Sequence, residues 1–209
     1  ARLAAPEAGF TLDLQLRSTQ PVLLQGERGF SRKGPPVVGG MAGGVAAGVV
    51  GEAAHASHYY SQPQLQAQGQ VTLRGREQVL QGRAWLDHEW STAYLDPNAD
   101  GWDWVGANLD DGSALMAFQI RGKKGGKVWA YAALRDPSGQ VKFFSPEQVE
   151  FTPTRTWQSP HTEAVYPVAM HIRTGEIEWQ LTPLLDDQEL DSRQSAGAVY
   201  WEGAVTLTR

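Results

Sequence analysis

Alternation of apolar and polar residues with a period of two is the feature that most constrains the fold of this chain. It recurs in the segments Phe10–Leu16, Gln64–Leu73, Ala114–Arg121, Val128–Arg135, Glu176–Thr182 and Ala198–Thr208. Because successive side chains of an extended strand point to opposite faces, each segment is predicted to be a half-buried β-strand. The one competing signal is a short helical turn near Pro146–Val149.

Turn-forming residues separate these segments. They cluster at Asp96–Gly101, Asp110–Gly112, Gly122–Gly126 and Asp136–Gly139, in a chain with 23 Gly, 12 Pro and eight Trp. Strands joined by such turns form antiparallel sheets. The sequence therefore predicts an all-β protein whose twisted sheet closes into one barrel or a pair of barrels.

Composition excludes several functional classes. The chain of 209 residues carries 18 Lys+Arg against 23 Asp+Glu, so it lacks the basic excess typical of nucleic-acid binding. It has no cysteine, which excludes disulfides, thiol nucleophiles and Cys-ligated zinc. The nucleophile elbow of serine hydrolases, the P-loop and the dinucleotide fingerprint are all missing. We therefore expect neither a nucleotide nor any other cofactor.

One segment departs from the alternating pattern. Pro35–Gly51 is uncharged, and Gly40, Gly44 and Gly48 repeat the spacing at which membrane helices pack closely. It is shorter and less apolar than a membrane span requires. We interpret residues 35–54 as a flexible loop or linker, with contact to a membrane surface or a partner as the alternative.

Titratable and aromatic residues are densest in Arg83–Trp90. On a strand this segment presents one face formed by Trp85, Asp87 and Glu89 and another formed by Leu86, His88 and Trp90. Two carboxylates about 6.5 to 7 Å apart on one face would suit a general acid and a general base. The alternative is a structural ion network with Arg83 or Arg121, or a solvated face.

Further aromatic residues accompany this segment. Trp102 and Trp104 share a face, with the carboxylate of Asp103 on the other, and Tyr59 and Tyr60 place one ring on each face. The indoles would form a wall for an apolar ligand, or would fill the core.

A metal site is not expected. His88 is followed by Glu89, but the zinc motif needs a second histidine where this chain has Thr92. The remaining histidines, His55, His58, His161 and His171, are scattered along the chain.

Together these residues resemble the lipocalin-like AttH/CrtC family, a group of predicted secreted hydrolases related to carotenoid 1,2-hydratase (hydroxyneurosporene synthase). The matching blocks cover most of the chain in family order and are Leu23–Gly34, Tyr59–Pro63, Gly82–Trp90, Gly101–Trp104, Asn108–Phe118, Tyr166–Val168, Leu185–Asp191 and Tyr200–Gly203. The hydrolase label has no support from a nucleophile motif in this sequence.

The resemblance implies two lipocalin-like barrels. Residues 1–75 would form the latter part of the first, and residues 76–209 most of the second. The opening strands typical of the family are absent, so the first barrel is expected to be incomplete, with its missing strands supplied by another chain or another part of the protein. The resemblance also implies a periplasmic or secreted location.

Two main functions are open. As an enzyme, the protein would protonate an alkene in an apolar isoprenoid- or polyketide-like substrate, as a hydratase, lyase or isomerase does. Asp87 or Glu89 would be the acid and His88 a base or orienting group, with Asp103 a further catalytic candidate. The ligand-binding candidates are Tyr59, Tyr60, Trp85, Trp90, Trp102 and Trp104.

As a non-catalytic carrier, the protein would bind a lipid or other apolar ligand with the same rings, in association with a transporter or membrane. A third possibility is an assembly role for the Gly-rich segment.

Overall fold

A computed structural model describes residues 1–35, 55–92, 95–194 and 198–209. Strands account for 66% of the described residues, among which no α-helix occurs. The predicted all-β class is therefore confirmed. None of these residues belongs to a helix with the length and hydrophobicity that crossing a bilayer demands.

The described residues form β1 Arg2–Ala5, β2 Phe10–Arg17, β3 Leu23–Leu24, β4 Phe30–Arg32, β5 Ala56–Leu73, β6 Arg76–Trp90, β7 Ala99–Asn108, β8 Ala114–Gly122, β9 Lys127–Arg135, β10 Val141–Phe144, β11 Val149–Gln158, β12 Val165–Thr174, β13 Ile177–Pro183, β14 Glu189–Ser192, β15 Ala198–Trp201 and β16 Val205–Thr208. Short 3₁₀ turns occupy Pro6–Ala8 and Pro146–Gln148.

These strands form four open sheets. The largest has the order β1-β2-β5-β3, with β4 and β6 also paired to β5. The others have the orders β10-β9-β8-β7, β11-β12-β13-β16 and β14-β15. The chain divides into one compact unit of residues 1–129 and 133–143 and a second of residues 130–132 and 144–209. The assignment of residues 1–75 and 76–209 to separate barrels, the first incomplete, stays a prediction.

The long hairpin β5/β6 carries the candidate site. Its turn consists of Arg74 and Gly75, which both have positive φ, 51° and 76° respectively. Two such residues form the type I′ turn that matches the twist of paired strands. The hairpin register runs from Leu73 opposite Arg76 to His58 opposite Trp90.

A bulge interrupts this hairpin between Gln62 and Leu65. Gln64 sits in the bulge with φ of 54° and is almost fully buried. Its backbone N–H donates to Asn108 Oδ1 at 2.7 Å, and its side-chain amide donates to Ser113 O at 2.6 Å. These bonds satisfy groups that the bulge removes from the strand ladder.

The core of the first unit is centred on β8. Residues 114–120 are buried on both faces, and the predicted half-buried pattern for this strand is therefore wrong. Alanines at 114 and 117 let neighbouring side chains pack closely on it. The second unit has its own core, formed by Phe144, Val149, Phe151, Val168, Ile172 and Trp179.

The other predicted strands are confirmed with small changes of boundary. The segment that begins at Gln64 extends back to Ala56 in β5, and Ala198–Thr208 divides into β15 and β16. The turn near Pro146–Val149 is the 3₁₀ turn. The segment of residues 35–54, apart from Pro35, lies outside the described residues.

Candidate active site

Two facing rows of polar side chains occupy one face of the β5/β6 hairpin. On β5, Ser57, Tyr59 and Ser61 alternate along the strand and are all buried. The register places Tyr59 opposite Glu89 and Ser61 opposite Asp87. Because directly opposed residues of antiparallel strands share a face, both carboxylates meet the buried hydroxyls of β5.

Asp87 receives several hydrogen bonds on this face. Ser61 Oγ donates to Asp87 Oδ1 at 2.5 Å, and Trp85 Nε1 donates to the same oxygen at 2.9 Å. Burial raises the pKa of Asp87 above its ordinary value, although hydrogen bonds from Ser61, Trp85 and Tyr59 act to lower it. The carboxyl group therefore holds its proton more tightly than an ordinary aspartate.

Glu89, two residues along β6, has a cationic partner. Lys33 Nζ lies 2.6 Å from Glu89 Oε1, which also accepts a hydrogen bond from Ser57 Oγ. The Lys33 ammonium lies 4.2 Å from the Phe118 ring centroid and 5.0 Å from that of Tyr59. Burial lowers the pKa of Lys33, while Glu89 acts to raise it. The ion pair and the two ring faces offset part of the cost of burying this cation.

Indole rings from two strands adjoin the carboxylates. Trp104 Nε1 donates to the Tyr59 hydroxyl at 3.0 Å. The Trp104 ring meets Trp85 edge to face, with centroids 6.4 Å apart. Burial is the main cause that raises the pKa of Tyr59, so its hydroxyl stays neutral and can donate. Gly106 lies below both indoles, where a side chain would collide with them.

This face is open to solvent on one side. Trp102 is 53% exposed and Trp104 is 41% exposed, whereas Tyr59 is only 3% exposed. Concave spaces of about 390 and 420 Å³ lie instead near the β5/β6 turn, where residues such as Asp13 and Gln70 line them. None of the predicted site residues lines either space, so we locate the candidate site on the Asp87 face.

The structure places three of the predicted site residues on the opposite face of the hairpin. His88 lies against Tyr60, whose hydroxyl is 3.3 Å from His88 Nδ1, and its ring meets Trp90 at a centroid distance of 5.0 Å. Trp90 also stacks on His58. His88, Tyr60 and Trp90 are therefore not brought together with Asp87 and Glu89.

Asp103 also points away from Trp104, since adjacent residues of a strand face opposite sides. Its carboxylate accepts a hydrogen bond from Arg121 Nη1 in an ion pair. Burial raises the pKa of Asp103, and Arg121 acts to lower it. This pair is the kind of structural ion network that the sequence left open as the alternative, although it involves Asp103 rather than Asp87.

Sequence reasoning missed four residues of the site: Gln25, Lys33, Ser57 and Ser61. Ser57 and Ser61 flank Tyr59 at a spacing of two, a strand period that continues Gln64–Leu73 backwards. Lys33 directly follows β4, whose three residues are too few to show a strand pattern in the sequence. Gln25 had no signal in the sequence, because its burial depends on contacts with distant residues.

The part of the chain that the structure describes holds no cluster of three or more His, Cys, Asp or Glu side chains able to bind a metal ion. Besides the two carboxylates, the polar groups on the Asp87 face are hydroxyls, indole N–H groups and one ammonium, which suit proton transfer.

The sheets and their open faces define an all-β protein of the lipocalin-like class. The chain belongs to the AttH-like family, whose sequence profile matches residues 1–209. A crystal structure from Nitrosomonas europaea, described as an AttH, is 59% identical to it, with a TM-score of 0.86. That comparison covers 99% of this chain and 59% of the other.

A second crystal structure, kievitone hydratase from Nectria haematococca, shares the fold with a TM-score of 0.71 at 19% identity. That comparison covers 99% of this chain and 58% of kievitone hydratase. The chain therefore spans less than two thirds of either solved relative. No curated protein matches it.

Proposed function

We propose that the protein is a hydratase-like enzyme, of the lyase or isomerase type, that protonates an alkene in an apolar isoprenoid- or polyketide-like substrate. The observation that carries the proposal is the environment of the Asp87 carboxyl group. This carboxyl group accepts a hydrogen bond from the Trp85 indole, burial raises its pKa, and it shares its face of β6 with a second carboxylate, Glu89, that is paired with Lys33. A weak acid next to a fixed carboxylate is what acid-catalysed hydration needs.

Asp87, Glu89 and the two indoles have separate roles in this reaction. Asp87 gives its proton to one alkene carbon, and positive charge develops on the other carbon beside Trp85 and Trp104, whose ring faces stabilise cations. Water attacks that carbon, forms the new C–O bond and loses a proton to Glu89. The alkene and one water become one alcohol, and transfer of the proton from Glu89 to Asp87 through solvent restores the site.

Similarity supports the reaction class. Kievitone hydratase, which shares the fold, is by name an enzyme that adds water. The aromatic rings of Trp85, Trp104 and Tyr59 beside the carboxylates support an apolar substrate. A periplasmic or secreted location, predicted from the family resemblance, belongs to the same proposal, because an apolar ligand there would need a protein that shields it from water.

The test is turnover in water enriched in heavy oxygen, with a panel of prenylated and polyene compounds and mass spectrometry of the products. We expect one substrate to gain one labelled water. Asp87→Asn should reduce kcat by a factor of about 10² to 10⁴, the range typical of a lost general acid, with no loss of thermal stability. Glu89→Gln should also reduce kcat.

His88→Gln is the matched control, since it lies on the same strand but on the opposite face. It should leave kcat within about twofold, because a residue without contact to substrate contributes little transition-state stabilisation. Undiminished turnover in both carboxylate variants would refute the proposal.

The alternative is a non-catalytic carrier for a lipid or other apolar ligand. The observation that favours it is the exposure of Trp102 and Trp104, which leaves two ring faces able to bind a ligand. If the protein is a carrier, a bound ligand should quench its tryptophan fluorescence saturably and should be released unchanged. Product formation separates the two functions.

A further inference from the structure

Gln25 is buried against the β5 residues of the site and does not touch Asp87 through any hydrogen bond that the structure shows. The residue follows β3 and is 0% exposed. Its backbone N–H donates to Tyr59 O at 3.1 Å, and its side-chain Nε2 donates to Ser61 Oγ at 2.8 Å. Within the described part of the chain, Gln25 Oε1 has no hydrogen-bond partner. Burying an amide whose oxygen accepts no hydrogen bond costs free energy. The side-chain hydrogen bond that Gln25 does make, from Nε2 to Ser61 Oγ, therefore calls for an explanation.

The contact settles where the Ser61 proton points. A serine hydroxyl has one proton to donate and two lone pairs that accept. Because Gln25 donates to Ser61 Oγ, the Ser61 proton is directed to its other neighbour, Asp87 Oδ1, at 2.5 Å. Gln25, Ser61 and Asp87 thus form a relay in which each group donates to the next.

The relay also distinguishes the two oxygens of Asp87. Oδ1 accepts from both Ser61 and Trp85. An oxygen that accepts two hydrogen bonds is a poor position for the acid proton, which is better placed on Oδ2.

We propose that Gln25 is a positioning residue that acts through Ser61 to fix the Asp87 carboxyl group, with Oδ1 as acceptor and Oδ2 as the oxygen that carries the transferable proton. The proposal rests on the proposed function for its catalytic meaning, but the hydrogen-bond relay can be measured without any substrate.

Other groups also act on Asp87 and must be held constant. Glu89 on the same strand, Tyr59 on β5 and Lys33 beyond it interact with its charge. Trp85 is neutral. Replacing Gln25 or Ser61 changes none of these charges, so a difference in titration between variants isolates the relay.

The test is an NMR titration of the Trp85 indole N–H resonance, which reports Asp87 ionisation because that N–H donates to Asp87. Trp85→Phe assigns the resonance. Ser61→Ala removes a donor to the carboxylate and should move the midpoint to higher pH. Gln25→Met should move it in the same direction by a smaller amount. In the Ser61→Ala background, Gln25→Met should not shift the midpoint further.

Ser57→Ala is the matched control, because Ser57 is an equally buried serine of β5 that bonds to Glu89 instead of Asp87. It should shift the midpoint less than Ser61→Ala. An unchanged midpoint in Gln25→Met, or an equal shift in the Ser61→Ala background, would overturn the relay.

A measurement on the wild-type protein covers the case in which Gln25→Met does not fold. The Gln25 side-chain amide resonances should titrate with the same midpoint as the Trp85 indole, and amide signals that do not respond would overturn the proposal. Loss of the relay would leave the enzyme proposal standing, whereas an intact relay without turnover in the wild type would refute only the enzyme proposal.

Discussion

A side chain at Gly106 would collide with the Trp104 indole, since a Cβ there would lie 2.6 Å from the nearest ring atom. The same Cβ would lie 2.9 Å from the Trp85 ring. The absence of a side chain at this position of β7 is therefore what lets the two indoles meet next to Asp87. The requirement for glycine here comes from the space that the two rings occupy, and not from the backbone conformation of residue 106.

Gly106→Ala should accordingly displace both indoles. We expect a loss of about 1 to 3 kcal/mol in the free energy of unfolding, the usual cost of overpacking, measured by urea denaturation. The tryptophan emission spectrum should change as well. Gly82→Ala is the control, because a Cβ at that strand position has no atom within 4 Å; equal destabilisation by both variants would contradict this account.

Asp87→Asn should make the protein more stable at neutral pH. Because the pKa of Asp87 is raised in the folded state, the folded protein binds more protons than the unfolded chain above the ordinary value of 3.8. Stability therefore falls as pH rises through the folded-state pKa. Asparagine has no charge whose burial destabilises the folded state, and it keeps an oxygen acceptor for Ser61 and Trp85. Melting temperatures from acidic to neutral pH should show a difference that grows with pH.

Asp186→Asn should show the opposite sign. Arg155 lowers the pKa of Asp186 through a bidentate ion pair, so this aspartate stabilises the fold above its ordinary pKa and loses that effect in acid. The pair is exposed and screened by solvent, so we expect only a small loss of stability. Melting curves at neutral pH and in acid measure it, and a larger loss in acid would count against the ion pair as the cause.

Lys33→Met should destabilise the protein strongly, by about 3 kcal/mol, because Glu89 would remain partly buried without its cation. Chemical denaturation provides the measurement. Adding Glu89→Gln should recover much of the loss, since the double variant carries neither charge of the ion pair. If the double variant is no more stable than Lys33→Met, the ion pair is not the reason for the burial of Lys33.

The sequence predicted this fold well because its strands carry a local signal. The alternation in Arg83–Trp90 correctly separates the face of Asp87 and Glu89 from that of His88 and Trp90. It could not show which face meets buried hydroxyls, since that depends on the partner strand. The failure at β8 has a similar cause: a strand covered on both faces is not required to alternate in burial.

The site was less predictable than the fold. Ser61 opposes Asp87 across 26 residues, and Gln25 reaches Ser61 from 36 residues away. Such contacts follow from strand register and chain reversal, which no local pattern encodes. The grouping of His88 with Asp87 as one catalytic set came from adjacency in sequence, which on a strand places side chains on opposite faces.

The two-faced hairpin limits how this gene can change in length. Deleting one codon between Ser57 and Ser61 would reverse the facing of every later residue of β5 up to the bulge, presenting Tyr60 to the carboxylates and turning Ser61 to the histidine side. Deleting two would preserve the facing and shift the opposed pairs. Among homologues, we expect in-frame length changes to be rare in this part of β5 and commoner at the Arg74–Gly75 turn.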